Sequence, residues 1–172
     1  MSSDDIIIFD SDDEKNENSE VPIREIGRGN VQVVDGDILE ADTKYIVHQV
    51  NTISLVPKGL SSQIFKKYPN ANVYKRDIIR KTGTIIIKEP VINLVGQKYA
   101  GESNKTDDSY ENRKKWFKKG LDEISVTPNI ISVAFPYKIG SGLAGGKWED
   151  YESMIYKFAK ENPNIKVKIY RK

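Results

Sequence analysis

Cysteine is absent from this 172-residue sequence and histidine occurs once. No disulfide, thiolate nucleophile or thiolate metal site can exist, and one imidazole is too few for a histidine-rich zinc site. No cofactor is expected, and metal chemistry through carboxylates alone stays open. Long apolar runs are missing too: no stretch approaches the roughly 18 residues that cross a bilayer. The N-terminus is acidic where a secretory signal would be basic and then apolar. The expectation is a soluble intracellular protein of the cytoplasm or nucleus, without membrane partners. At roughly 100 to 200 residues per domain the length excludes a second full domain. Hydrophobic residues are only 38%, but nine Tyr, five Phe and two Trp supply the large apolar groups of a core.

The net charge of +2 conceals an asymmetry, because residues 1–20 hold eight acids and one base, or −7. The other 152 residues carry +9, which suits an anionic ligand. Residues 1–20 are expected to form an acidic disordered tail, and 21–172 the folded domain. Within the tail, Ile6-Ile7-Ile8-Phe9 beside an acidic cluster resembles the SUMO-interacting motif, whose aliphatic strand adds to a sheet edge. The other reading is a solubilising tail with an accidental apolar patch.

From residue 21 onward, short β-branched runs alternate with helical patterns, as in a layered α/β domain. Strands are expected at Val31 to Val34, Tyr45 to Val50, Thr84 to Ile87, Val91 to Val95, Ile130 to Phe135 and Ile165 to Tyr170. Several are continuously apolar, the mark of strands covered on both faces. Helical spacing predicts Leu60 to Tyr68, Tyr110 to Ile124 and Trp148 to Lys160. The basic residues Lys66, Lys67, Lys75, Arg76, Arg80 and Lys81 and the cluster Arg113, Lys114, Lys115, Lys118 and Lys119 read as solvated faces, so nucleic acid is not the expected partner.

Phe135-Pro136-Tyr137-Lys138-Ile139-Gly140-Ser141-Gly142-Leu143-Ala144-Gly145-Gly146 runs from a buried strand to a helix start and holds four glycines within seven residues. Such a backbone can reach positive φ and converge its N–H groups, a phosphate cradle in form. It is neither a dinucleotide fingerprint nor a P-loop. Asp37 follows a strand and a Gly turn, where its carboxylate could accept from an exocyclic amine or cap a turn. Asn51 closes a strand at the same sheet edge, where its amide could hold a ribose hydroxyl or a water. His48 lies inside that strand, so a structural histidine is favoured over general acid or base work.

Gly36-Asp37-Ile38, Val47-His48-Gln49-Val50-Asn51, Ile92-Asn93-Leu94-Val95-Gly96-Gln97 and the glycine loop with Trp148-Glu149 together resemble the macro domain, the ADP-ribose-binding module. The run Ile139 to Trp148 is most similar to the ADP-ribose 1''-phosphate phosphatase-like branch. The resemblance implies a three-layer α/β/α domain with a mixed central sheet and an ADP-ribose cleft at the strand ends. It implies Asp37 and Ile38 at the adenine, Tyr170 against it, and Asn51 at the distal ribose. Gly140, Ser141, Gly142, Leu143 and Ala144 would wrap the diphosphate, and Ile139, Gly96 and Gln97 join the ligand-binding set.

Two departures bear on activity. Where the family carries a Gly-rich stretch after the Asn, this chain reads Thr52-Ile53-Ser54-Leu55-Val56-Pro57-Lys58-Gly59, which keeps only Gly59 and offers Lys58 to a terminal phosphate. The catalytic Lys and Asp of the related glycohydrolase branch would align with Gln97 and Ala144, which can be neither nucleophile nor acid. The expectation is binding of ADP-ribose or a derivative, with processing of ADP-ribose 1''-phosphate or a related conjugate by a phosphatase or ADP-ribosyl hydrolase. Asn51 and His48 are the catalytic candidates. The alternative is a non-catalytic reader whose acidic tail recruits a partner.

Overall fold

The computed structural model describes residues 31–172, so the acidic segment 1–20 and its Ile6-Ile7-Ile8 run lie outside the described residues. The elements are β1 (Val31–Asp35), β2 (Tyr45–Asn51), α1 (Leu60–Lys67), β3 (Ile85–Lys88), β4 (Val91–Gln97), α2 (Tyr110–Val126), β5 (Ser132–Pro136), α3 (Trp148–Glu161) and β6 (Lys166–Arg171). One six-stranded sheet runs in the order β1-β6-β5-β2-β4-β3. Its pairs are parallel except the antiparallel edge pair of β3 with β4.

The apolar strands are explained by two cores. Along β4, Ile92 and Leu94 pack on the side of α2 and α3, while Val91 and Val95 point to the side of α1. Tyr45 and Val47 against Ile46 and Val50 repeat this in β2. A period of two with both faces covered leaves few polar positions, and two of the polar side chains there, His48 and Asn93, are buried and hydrogen-bonded to each other, which is why these strands read as largely apolar runs. Phe117, Leu121 and Ile124 of α2 meet Tyr151, Ile155 and Phe158 of α3 in the larger core, and Ile64 and Phe65 anchor α1 in the other.

The helix starts follow local chemistry. The Ser109 hydroxyl oxygen accepts from the Asn112 N–H at 3.1 Å and caps α2. Glu149 and Asp150 occupy the first turn of α3, where negative charge complements the helix dipole.

Boundary differences are small but matter at the cleft. β2 extends to Asn51 and β4 to Gln97, beyond the expected ends at Val50 and Val95, with a register shift between Val50 and Asn51. β5 starts at Ser132 instead of Ile130, because Asn129 turns the chain with φ 69° and leaves Ile131 in solvent. The parallel strands all end at one side of the sheet, which gathers the loops after β1, β2, β4 and β5 at a single edge.

Gly120 lets α2 approach β4, since a Cβ there would stand 2.5 Å from Leu94 Cγ. Gly120→Val is expected to destabilise the fold by about 1–3 kcal/mol through overpacking, read by urea unfolding. A change within about 0.5 kcal/mol would show that Leu94 yields freely.

Candidate functional site

The glycine loop is held from below and left open above. The Ile139 side chain is buried in the larger core and its N–H donates to Pro136 O at 3.1 Å. Gly140, at φ +78°, lies so close to the Tyr151 ring that a Cβ would come within 2.7 Å of it. Gly146 N–H donates to Gly140 O at 3.0 Å, and Ser141 N–H to Lys138 O at 2.9 Å. With these bonds made, the N–H groups of Gly140, Gly142, Leu143 and Ala144 have no hydrogen-bond partner among the described residues. Across the edge, a Cβ on Gly59 would stand 3.2 Å from Leu143 Cδ1, so the loop faces the end of the Thr52–Gly59 segment.

A buried ion pair fixes this loop against its neighbours. Asp108 and Arg113 are both fully buried, with Arg113 Nε donating to Asp108 Oδ1 at 2.9 Å and Nη2 to Oδ2 at 2.6 Å. Arg113 Nη1 reaches Gly101 O at 2.8 Å and Ala144 O at 3.3 Å, and the Asp108 oxygens accept from the Lys98 and Tyr99 N–H groups. Those hydrogen bonds hold the Asp108 carboxyl below the usual range although burial pushes it up.

Asp37 caps the turn after β1: its Oδ1 accepts from the Leu39 N–H at 2.9 Å and its Oδ2 from Lys172 Nζ at 3.0 Å. Both partners, the Leu39 N–H foremost, keep this carboxyl ionised below its usual range. Ile38 is buried. Tyr170 is 9% exposed beside Gly36, with its hydroxyl 3.4 Å from Asp42 Oδ1.

Asn51 is committed to the chain around it. Its Oδ1 accepts from the Ile53 and Ser54 N–H groups at 3.1 and 2.8 Å, and its Nδ2 donates to Tyr74 Oη at 3.3 Å. Gln97 Oε1 accepts from Gln49 Nε2 at 2.6 Å and Gln97 Nε2 donates to Tyr99 O at 2.8 Å, so both amide ends hold the fold. Gly96 packs directly on Gln49, leaving no room for a Cβ. Lys58 is exposed at the rim, with no ion pair among the described residues.

His48 stands away from this edge. It is 2% exposed, its Nε2 paired with Asn93 Oδ1 at 2.6 Å and its Nδ1 with the Ser61 hydroxyl at 3.0 Å. Burial lowers its pKa to about 4. A neutral imidazole with both nitrogens engaged is a structural group, so the catalytic expectation for His48 is set aside for its structural reading.

Two residues at this edge escaped the sequence reading. Arg80 and Arg113 were both placed in solvated basic runs, yet both are buried and hold loops. For Arg113 a signal existed: it falls three residues after Tyr110 and four before Phe117, on the core face of its helix. Arg80, in an irregular segment, offered none.

His48 sets a pH dependence. The unfolded chain protonates it near pH 6.5 and the folded protein only near 4, so stability is complete above about 6.5 and falls as pH drops toward 4, by roughly 3 kcal/mol from this group. His48→Gln is expected to flatten that window, read by urea unfolding between about pH 4 and 7. An unchanged slope would locate the dependence in the carboxylates.

No protein-family profile matches the chain. It is 30% identical over 147 residues to the DNA ADP-ribosyl glycohydrolases of Mycobacterium tuberculosis and Mycobacterium bovis, an alignment covering 78% of this chain and 40% of those proteins. The chain thus spans about two fifths of the length of these curated relatives. Among solved structures, the macrodomain of Mycobacterium tuberculosis DarG matches with a TM-score of 0.65 and 26% identity, covering 83% of this chain and 97% of that one. The Thermus aquaticus DarG macrodomain gives a TM-score of 0.64 at 21% identity, covering 83% of this chain and 98% of that one. A mutant macrodomain from Oceanobacillus iheyensis gives 0.58 at 19%, covering 85% and 86%. With the mixed sheet between its helical layers and the glycine loop at the strand ends, this chain belongs to the macrodomain family.

Proposed function

We propose that this macrodomain binds the ADP-ribose unit of a conjugate along the edge formed by the loops after β1, β2 and β5, and hydrolyses the bond at its distal ribose. The observation that carries this reading is the set of four unpartnered N–H groups at Gly140, Gly142, Leu143 and Ala144. Converging amide donors suit a diphosphate, and the cationic body of the protein attracts one. Asp37 keeps free acceptor capacity for the adenine amino group, since an ionised carboxylate takes up to about four hydrogen bonds. Asn51, Lys58 and Gly59 line the part beyond the diphosphate, while Ile38, Ile139 and Tyr170 support the site from the core.

With Gln97 and Ala144 where a covalent route would need Lys and Asp, and with Gln97 committed to Gln49 and Tyr99, water attacks without a lysine-bound intermediate. Catalysis then rests on orientation and on stabilising the departing charge, not on a strong side-chain base. The leaving group is phosphate in ADP-ribose 1''-phosphate or a larger group in a related conjugate. A DNA-linked conjugate draws support from the names of the mycobacterial relatives and from residues 52–83, which hold seven basic residues and one acid. The same names favour turnover over a reader that only binds.

Calorimetric titration of the full chain with ADP-ribose is expected to show micromolar binding, about −8 kcal/mol. Gly140→Val, which drives a side chain into Tyr151 at a positive φ, is expected to weaken it at least about tenfold. Absence of heat with the native chain would overturn the reading. Product release from ADP-ribose 1''-phosphate and from ADP-ribosylated DNA, compared side by side, identifies the leaving group.

A further inference from the structure

Arg80 is the one described arginine that is buried without a carboxylate: it is 7% exposed and forms no ion pair among the described residues. Removing a guanidinium from water without a counter-charge is costly, and an aliphatic side chain would fill the space at less cost. Its hydrogen bonds show what it accomplishes instead. Nη1 donates to Asn51 O at 3.1 Å and to Ser54 O at 2.9 Å. The guanidinium carbon lies 4.9 Å from the centroid of the Tyr74 ring, and Nε is buried without a partner. The Tyr74 hydroxyl in turn accepts from the Asn51 backbone N–H at 3.2 Å and from Asn51 Nδ2 at 3.3 Å. On the other side of the turn, Asn51 Oδ1 takes the Ile53 and Ser54 N–H groups.

The turn that leads into Thr52–Gly59 is therefore gripped through its carbonyls by Arg80, and through the Asn51 amide by Tyr74. A segment with Pro57 and exposed Ile53, Leu55 and Val56 has little packing of its own to hold it. A planar cation spanning two carbonyls while stacked on an aromatic ring is a task that arginine meets and lysine does not.

We infer that Arg80 is a positioning residue for the far end of the cleft: it clamps the Asn51–Ser54 turn and so sets the Asn51 amide and the wall ending at Gly59. This rests on the reading that ADP-ribose lies along the cleft with its distal ribose against that wall. ADP, which lacks the distal ribose, does not need the wall.

The test compares the native chain with Arg80→Met and Arg80→Lys, by calorimetry with ADP and with ADP-ribose, and by amide hydrogen exchange. Arg80→Met is expected to weaken ADP-ribose about tenfold while ADP stays within about twofold, with Arg80→Lys between. The Ile53 and Ser54 amides are expected to exchange at least about tenfold faster, while the Leu94 amide in the core is unchanged. Equal losses for ADP and ADP-ribose, or exchange at Ile53 and Ser54 that does not change, would overturn the inference. If Arg80→Met fails to fold, Arg80→Lys carries the same comparison. If the native chain binds neither nucleotide, the ADP-ribose reading fails, and the exchange rates alone decide whether Arg80 clamps the turn.

Discussion

The paired charges of Asp108 and Arg113 are the constraint on which the edge of the sheet depends. Both are out of water, and burial of this kind is tolerated because nearly every polar atom finds a partner: two backbone N–H groups on the carboxylate, and three carbonyls on the guanidinium. Those partners belong to the chain after β4 and to the glycine loop, while Arg113 itself stands on α2. One ion pair therefore joins three separate segments where the strands end. It holds Ala144 O, while the N–H groups of Gly140, Gly142, Leu143 and Ala144 stay without partners among the described residues.

The opposite wall is built on a different principle. Arg80 has no anion to answer it and works through carbonyls and an aromatic face. Between the two arginines, Gly59 and Leu143 come close enough that a side chain on Gly59 would touch its neighbour. The site is thus a gap between a wall held by a neutralised pair and a wall held by an unpaired cation.

How much of this was legible in the sequence differs by residue. Buried parallel strands announce themselves, since Val91 to Val95 must satisfy two cores at once, and its one polar side chain, Asn93, is buried against His48. The glycine loop was legible because positive φ at Gly140 and close approach to Tyr151 exclude other residues. Asp37 was legible only as two alternatives, and the structure makes it a turn cap that still has acceptor capacity. His48 could be read as a structural or a working imidazole, and the separation lies in Asn93 and Ser61, which are distant in the chain. Arg80 was illegible as a buried group, because a basic residue beside other basic residues has the composition of a solvated face, and for Arg113 only its spacing to Tyr110 and Phe117 spoke against that composition.

The sequence by itself determined the alternation of strands and helices, the two-sided burial of the sheet and the place of the phosphate-type loop. Each of these follows from local periodicity or from a backbone conformation that few residues can adopt. Tertiary structure alone decided which polar groups remain free. Asn51 and Gln97 are spent on the fold while the Gly140, Gly142, Leu143 and Ala144 amides are not, and that division depends on partners contributed by segments far apart in the chain. Hydrogen-bond satisfaction is a property of the assembled neighbourhood, and no spacing along the chain encodes it.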